Sequence, residues 1–203
     1  MTEHRNIIAI LRGITPDEIA AACTALIDAG ITFIEVPLNS PNAISSIKIA
    51  ASEFGSKAMI GAGTVITIDD VESVAGVGGK FIVSPDCNEA VIKRTRSLGL
   101  ASYPGVFTPS EAFRAIAAGA NGLKFFPAEV LGPKGIRAIK AVVPPEVPLF
   151  AVGGANPDNF DQYFAAGCSG FGLGTFLYKP GASAIQISEN AKSAVAAYDK
   201  EKI

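Results

Sequence analysis

Residues 6–30, NIIAILRGITPDEIAAACTALIDAG, decide the fold. The apolar, partly β-branched run Asn6–Arg12 reads as a strand. Thr15-Pro16-Asp17-Glu18 follows, a capping hydroxyl with proline at the first helical position and glutamate at the third, the pattern of a capping box. Ile19, Ala22, Cys23, Leu26 and Ile27 then share one helical face, which makes Cys23 core filling. Gly30 stands where the chain leaves the helix. Strand, helix and glycine stop together make one β/α unit.

The unit recurs to the end of the chain. Further strands are expected at Phe33–Leu38, Ala58–Thr64, Phe81–Pro85, Ala101–Val106, Gly122–Pro127, Leu149–Gly154 and Phe171–Leu177. Ser40-Pro41, Thr108-Pro109-Ser110-Glu111 and Asn156-Pro157 repeat the helix start, and Gly99, Gly119 and Gly167 repeat the stop. A last helix is expected from Ser183 to about Tyr198. No linker or composition break divides the chain, so residues 1–203 are expected to form one domain. Eight units in unbroken alternation fit an α/β fold of the closed (β/α)₈ or TIM-barrel kind; the count alone leaves an open doubly wound sheet as the alternative. For a barrel the chain is short, which calls for short loops and a small substrate.

Composition narrows the function. Of 203 residues, 49% are hydrophobic and 18% charged, and the formal net charge of −2 comes with no basic run, so a nucleic-acid partner is not expected. The first apolar run, Ile7 to Leu11, follows Glu3, His4 and Arg5 and is too short for a signal peptide or a membrane span, which makes a cytoplasmic protein the expectation. Cys23, Cys87 and Cys168 are odd in number and far apart, against a disulfide framework or a zinc site. Cys87 and Cys168 are expected to be small buried packing groups and the single histidine, His4, a tail residue, so no metal is expected.

Barrel strands are buried on both faces, and a charge inside one needs a reason. Arg12 ends the first, Glu35 interrupts Phe33-Ile34-Glu35-Val36-Pro37, and Lys124 interrupts Gly122-Leu123-Lys124-Phe125-Phe126-Pro127. A structural salt bridge between Glu35 and Lys124, or charges snorkelling from the barrel mouth, is one explanation. The other is catalytic: a desolvated lysine is pushed toward the neutral amine that attacks a carbonyl, and a neighbouring glutamate can move protons at the carbon beside the resulting imine. That chemistry is an imine-forming carbon–carbon lyase. Thr64, Pro85, Pro104-Gly105 and Gly153-Gly154 fall at other strand ends, which this fold gathers at one mouth; Pro37, Pro85, Pro104 and Pro127 also serve simply to stop strands. Gly153-Gly154 and Gly172-Leu173-Gly174-Thr175 follow the last two strands, where barrels often bind phosphate.

Six motifs in order carry a family resemblance. Ile8-Ala9-Ile10-Leu11-Arg12-Gly13-Ile14-Thr15-Pro16, Ile34-Glu35-Val36-Pro37-Leu38-Asn39-Ser40-Pro41, Ile60-Gly61-Ala62-Gly63-Thr64-Val65, Leu123-Lys124-Phe125-Phe126-Pro127-Ala128, Ala151-Val152-Gly153-Gly154 and Gly172-Leu173-Gly174 resemble the class I 2-keto-3-deoxy-6-phosphogluconate and -galactonate aldolases. Pro37-Leu38-Asn39-Ser40-Pro41 resembles the galactonate branch. The resemblance implies cleavage of a phosphorylated keto-deoxy sugar acid, 2-dehydro-3-deoxy-6-phosphogalactonate, to pyruvate and glyceraldehyde 3-phosphate, with no metal or other cofactor, by a homotrimer. It implies Lys124 as the Schiff-base lysine, Glu35 as acid and base, and Arg12, Thr64 and Pro85 around the pyruvate carboxylate. Gly153, Gly154, Gly174 and Thr175 are implied at the phosphate.

Ala155, facing the sugar hydroxyls, departs from the family, which has threonine in the gluconate branch and valine in the galactonate branch. The arginine that the gluconate branch carries after the second strand is also missing, with Asn39 and Ser40 in that region, which leaves the anion to Arg12. Alternatives with the same mechanism are the gluconate epimer and 4-hydroxy-2-oxoglutarate as substrate. Those of another class are a phosphosugar epimerase or isomerase, in which Lys124 only pairs with an anion, and a barrel that binds phosphorylated ligands without turnover.

Overall fold

The computed structural model describes residues 5–202. The expectation for His4 lies outside them. The chain runs β1 (Ile7–Ile10), α1 (Ile19–Asp28), β2 (Phe33–Pro37), α2 (Ala43–Phe54), β3 (Met59–Gly63), α3 (Ile68–Gly76), β4 (Phe81–Val83), α4 (Glu89–Ser97) and β5 (Ala101–Tyr103). It continues through β6 (Gly105–Val106), α5 (Pro109–Ala117), β7 (Leu123–Phe125), α6 (Ala128–Lys140), β8 (Leu149–Val152), α7 (Phe160–Ala165), β9 (Gly170–Leu173) and α8 (Ala184–Lys200). The strands form one parallel sheet in the order β5-β4-β3-β2-β1-β9-β8-β7-β6.

The two ends of that order are neighbours in sequence, and this closes the ring. β5 pairs with β4 and β6 with β7, so the two are halves of one stave interrupted at Pro104. Proline has no N–H for the ladder, although its carbonyl still accepts from Lys124 N at 2.9 Å. The fold is therefore a (β/α)₈ barrel, and the fifth strand expected over Ala101–Val106 is broken. The expected strand Phe171–Leu177 is also corrected: it ends at Leu173, because the amides of Leu177 and Tyr178 turn back onto the carbonyl of Gly174, at 2.9 and 3.0 Å.

Side-chain parity divides the apolar residues into two cores. Ile7, Ala9, Ile34, Val36, Ile60, Leu123, Phe125 and Phe171 face outward and pack against the helices. Ile8, Ile10, Phe81, Val83, Phe150 and Val152 face the barrel axis, with Phe33, Met59, Ala101, Tyr103 and Phe126 against them. Aromatic rings plug the interior: Phe33 and Phe81 lie 5.7 Å apart, Phe81 and Tyr103 6.1 Å, and Tyr103 and Phe150 5.3 Å. Glycines on the same parity make the space, since a Cβ at Gly61 would overlap Phe81 and one at Gly170 would overlap Phe150.

Helix ends follow the sequence with two exceptions. Gly30, Gly99, Gly119 and Gly167 all adopt the positive φ expected of helix stops. Thr108 and Glu111 form a complete capping box, as do two unforeseen pairs, Thr67 with Asp70 and Ser183 with Gln186. At Thr15 only half the box exists: the Glu18 carboxylate accepts from Thr15 N and Oγ1, and α1 starts at Ile19, three residues after the expected first position at Pro16. Ser40 caps no helix, because its Oγ accepts from Gly13 N at 2.9 Å while α2 starts after Asn42. Cys23 and Cys168 are buried as expected; Cys87 is only half-buried, its thiol donating to the carbonyl of Glu111 at 3.3 Å. No described helix is long and apolar enough to cross a membrane.

The capping box gives a stability test remote from the mouth. Thr108→Ala removes the acceptor for Glu111 N and is expected to cost about 1 kcal/mol. In a barrel of this size that lowers Tm by about 2–4 °C, measurable by calorimetry.

Candidate active site

The same parity that fills the barrel carries past the strand ends to the mouth. Ile8 and Ile10 lead to Arg12, Phe81 and Val83 to Pro85, and Phe150 and Val152 to Gly154. Glu35 sits between Ile34 and Val36, and Lys124 between Leu123 and Phe125, all four of which belong to the outer core. Both ionisable side chains therefore point into the barrel, Glu35 with 2% exposure and Lys124 with 6%.

They do not form the salt bridge that a purely structural explanation requires. The ion pairs among the described residues are Arg5 with Asp199, Lys93 with Glu89 and Arg94 with Glu72. Glu35 Oε2 is buried without a hydrogen-bond partner. Lys124 Nζ stands 4.5 Å from the centre of the Phe126 ring, on the residue two positions along the same face. Burial pushes the Glu35 carboxyl up to about 7, with Lys124 and then Arg12 pulling it back. Burial likewise pulls the Lys124 amine down from its ordinary value; Glu35 opposes this and Arg12 adds to it. Each group is thus biased toward its neutral form.

Gly63 makes room for the Glu35 carboxyl. It ends β3 on the inward parity, and a Cβ there would lie within 2.6 Å of Glu35 Cδ. Thr64, which follows it, would continue on the outward parity. Instead it takes φ 57°, a left-handed conformation rare for a β-branched residue, and its Oγ1 reaches within 3.4 Å of Arg12 Nη1. Arg12 lies two residues beyond β1 and is exposed, which corrects the expectation of a charge buried within the strand. Its Nη1 also donates to Asn39 Oδ1 at 2.6 Å.

The remaining candidates lie at the C-terminal ends of their strands. Pro85 is half-buried in the turn after β4. Gly153 and Gly154 follow β8 with φ of 94° and 76°. The Gly153 carbonyl accepts from Glu129 N at 3.1 Å, and the Gly154 carbonyl accepts from the side-chain amides of Asn156 and Asn159 at 3.1 and 3.0 Å. Ala155 is buried at 8% exposure beside them. Gly174 and exposed Thr175 open the turn after β9, and Thr175 also borders a cavity of about 550 Å³ between that turn and α8.

Sequence reasoning did not single out Gly63, Phe126 or the contact of Asn39 with Arg12. Phe126 was findable from the period of two that also carries Lys124. The other two depend on distances between neighbouring staves, which no local pattern encodes.

A buried lysine and a buried carboxyl at the mouth of a barrel can serve imine chemistry or proton transfer. Comparison with known proteins narrows this. A family model described as KDPG and KHG aldolase matches residues 1–194. A Rhizobium meliloti (strain 1021) protein named probable 2-dehydro-3-deoxy-6-phosphogalactonate aldolase is 51% identical over 196 residues, covering 97% of this chain and 92% of its own. The 2-dehydro-3-deoxy-6-phosphogalactonate aldolase of Escherichia coli (strain K12) is 46% identical over 192 residues, covering 95% and 94%. A solved structure described as native KDPGal aligns with a TM-score of 0.97 at 44% identity, covering all 100% of this chain and 98% of its own. Barrel, motif order and near-complete coverage agree, and the chain belongs to the KDPG and KHG aldolase family.

Proposed function

We propose that this chain is a class I aldolase that cleaves 2-dehydro-3-deoxy-6-phosphogalactonate to pyruvate and glyceraldehyde 3-phosphate through a Schiff base on Lys124. The observation that carries the proposal is the burial of Lys124 and Glu35 in one barrel without an ion pair between them. A pair kept for structure would be joined, because an unpaired buried charge is costly. Two groups held apart and biased toward neutrality are instead an amine ready to attack and a carboxyl ready to exchange protons. The substrate rests on the names of the relatives at 46–51% identity.

In the proposed sequence the neutral Lys124 amine adds to the C2 ketone, and the carbinolamine loses water to give an iminium. The Glu35 carboxylate takes the proton of the C4 hydroxyl, the C3–C4 bonding pair moves toward the iminium nitrogen, and the aldehyde leaves. Protonated Glu35 then returns its proton to C3 of the enamine, and water releases pyruvate and regenerates the amine. Arg12, Thr64 and Pro85 take the carboxylate end, and Gly153, Gly154, Gly174 and Thr175 the phosphate. Ala155 sits by the sugar hydroxyls, where it offers neither a donor nor the bulk of valine. The same proposal carries a cytoplasmic homotrimer, which rests on the family resemblance alone.

Incubation with pyruvate and borohydride is expected to leave a reduced pyruvyl adduct on Lys124, located by peptide mass spectrometry. Lys124→Ala should carry none. An unmodified native protein would return the epimerase and binding-barrel alternatives.

Exchange of the pyruvate methyl protons with deuterated solvent isolates the step assigned to Glu35. Its rate should fall as pH drops below about 7, since protonating the Glu35 carboxylate removes the base. Glu35→Gln should lower the rate roughly 10²–10⁴-fold.

Gly63→Ala places a methyl group against the Glu35 carboxyl. A displaced proton-transfer group is expected to cost on the order of 10²-fold in turnover, with KM changing less. Steady-state kinetics on the phosphogalactonate substrate measures both.

A further inference from the structure

We infer that Asn39 is a positioning residue for Arg12, holding the guanidinium so that its bidentate edge faces an anionic substrate group. This rests on the carboxylate-binding part given to Arg12 above. Arg12 is exposed and two residues beyond its strand, where an unheld arginine loses much rotamer freedom on meeting a ligand. Asn39 Oδ1 accepts from Nη1 at 2.6 Å, and Thr64 Oγ1 lies 3.4 Å from the same nitrogen. Both known contacts fall on Nη1. Among the described residues Nε and Nη2 donate to nothing, and these two form the fork that matches a carboxylate with two parallel hydrogen bonds.

The segment that carries Asn39 is itself anchored. Leu38 N donates to the carbonyl of Gly63 at 2.8 Å, and Ser40 N donates to that of Pro37 at 2.9 Å. Ser40 Oγ accepts from Gly13 N at 2.9 Å, so the dipeptide Arg12-Gly13 is tied at both residues to the dipeptide Asn39-Ser40. The choice of an amide matters as well. Asn39 accepts a strong hydrogen bond without adding charge, whereas a carboxylate in its place would form an ion pair and offset the attraction of Arg12 for an anion.

Cleavage kinetics of Arg12→Ala, Asn39→Ala, Asn39→Asp and the double alanine variant test this, with thermal melting of each as the fold control. Asn39→Ala is expected to raise KM about 3–10-fold, the cost of ordering one long side chain, with a smaller change in kcat. In the Arg12→Ala background the same substitution should change nothing further. Asn39→Asp should raise KM more than Asn39→Ala, although it keeps the acceptor. If Asn39→Ala leaves KM unchanged while Arg12→Ala raises it, the inference fails and the part given to Arg12 stands. An Asn39 effect of equal size with and without Arg12 also overturns it. If Arg12→Ala leaves KM unchanged, the underlying assignment of Arg12 fails.

Discussion

Two ionisable side chains removed from water inside one barrel, with no ion pair joining them, set the terms for the rest of the structure. Burial costs several kcal/mol for each charge even after relaxation, and Glu35 and Lys124 recover none of that cost in an ion pair with each other. The barrel tolerates them by letting both shift toward neutrality, the shift that the proposed chemistry uses. Their coupling persists across the gap, since each opposes the desolvation of the other.

Holding two such groups requires a rigid surround, and the parity of the strands supplies it. The barrel interior is closed by Phe33, Phe81, Tyr103 and Phe150 in tilted and edge-on contact, with Gly61 and Gly170 admitting the rings. The same inward parity carries Glu35, Gly63 and Lys124, with Lys124 in register with Phe150. Above these the strands give way to loops bearing Arg12, Pro85 and Gly154. A strand shifted by one residue would turn Glu35 or Lys124 into the helix layer.

Much of this was legible in the sequence because it is local. The starts of the eight apolar runs, the glycine stops and the box at Thr108 depend on neighbouring residues, and they appear within a residue of where the pattern puts them. Glu35 and Lys124 stood out because a charge inside a doubly buried strand violates a local rule. What failed depends on distant partners or on geometry at a strand end. Arg12 looked buried because its own run is apolar, yet β1 stops at Ile10 and releases it. The run Phe171–Leu177 looked continuous, yet the Gly174 carbonyl captures the chain in a turn. Ser40 had the chemistry of a helix cap and spends it on the amide of Gly13, on another loop. The left-handed Thr64 gave no signal at all, for a β-branched residue is a poor candidate for that conformation.

The mouth treats its third charge differently from the buried two. Arg12 is exposed, and its immediate partners are a neutral amide and a hydroxyl rather than a carboxylate. A guanidinium held this way is fixed in direction while keeping its full charge, so an incoming anion meets an undiminished field at a defined place. The same charge lies close enough to the interior to act on both buried groups. It lowers the Lys124 amine further and holds Glu35 back from a still higher value. An anion that pairs with Arg12 offsets this influence, easing Glu35 upward and Lys124 with it. Binding at the mouth is therefore electrostatically linked to the proton affinity of the groups below, through Coulomb interaction across a low-dielectric interior and without any moving part.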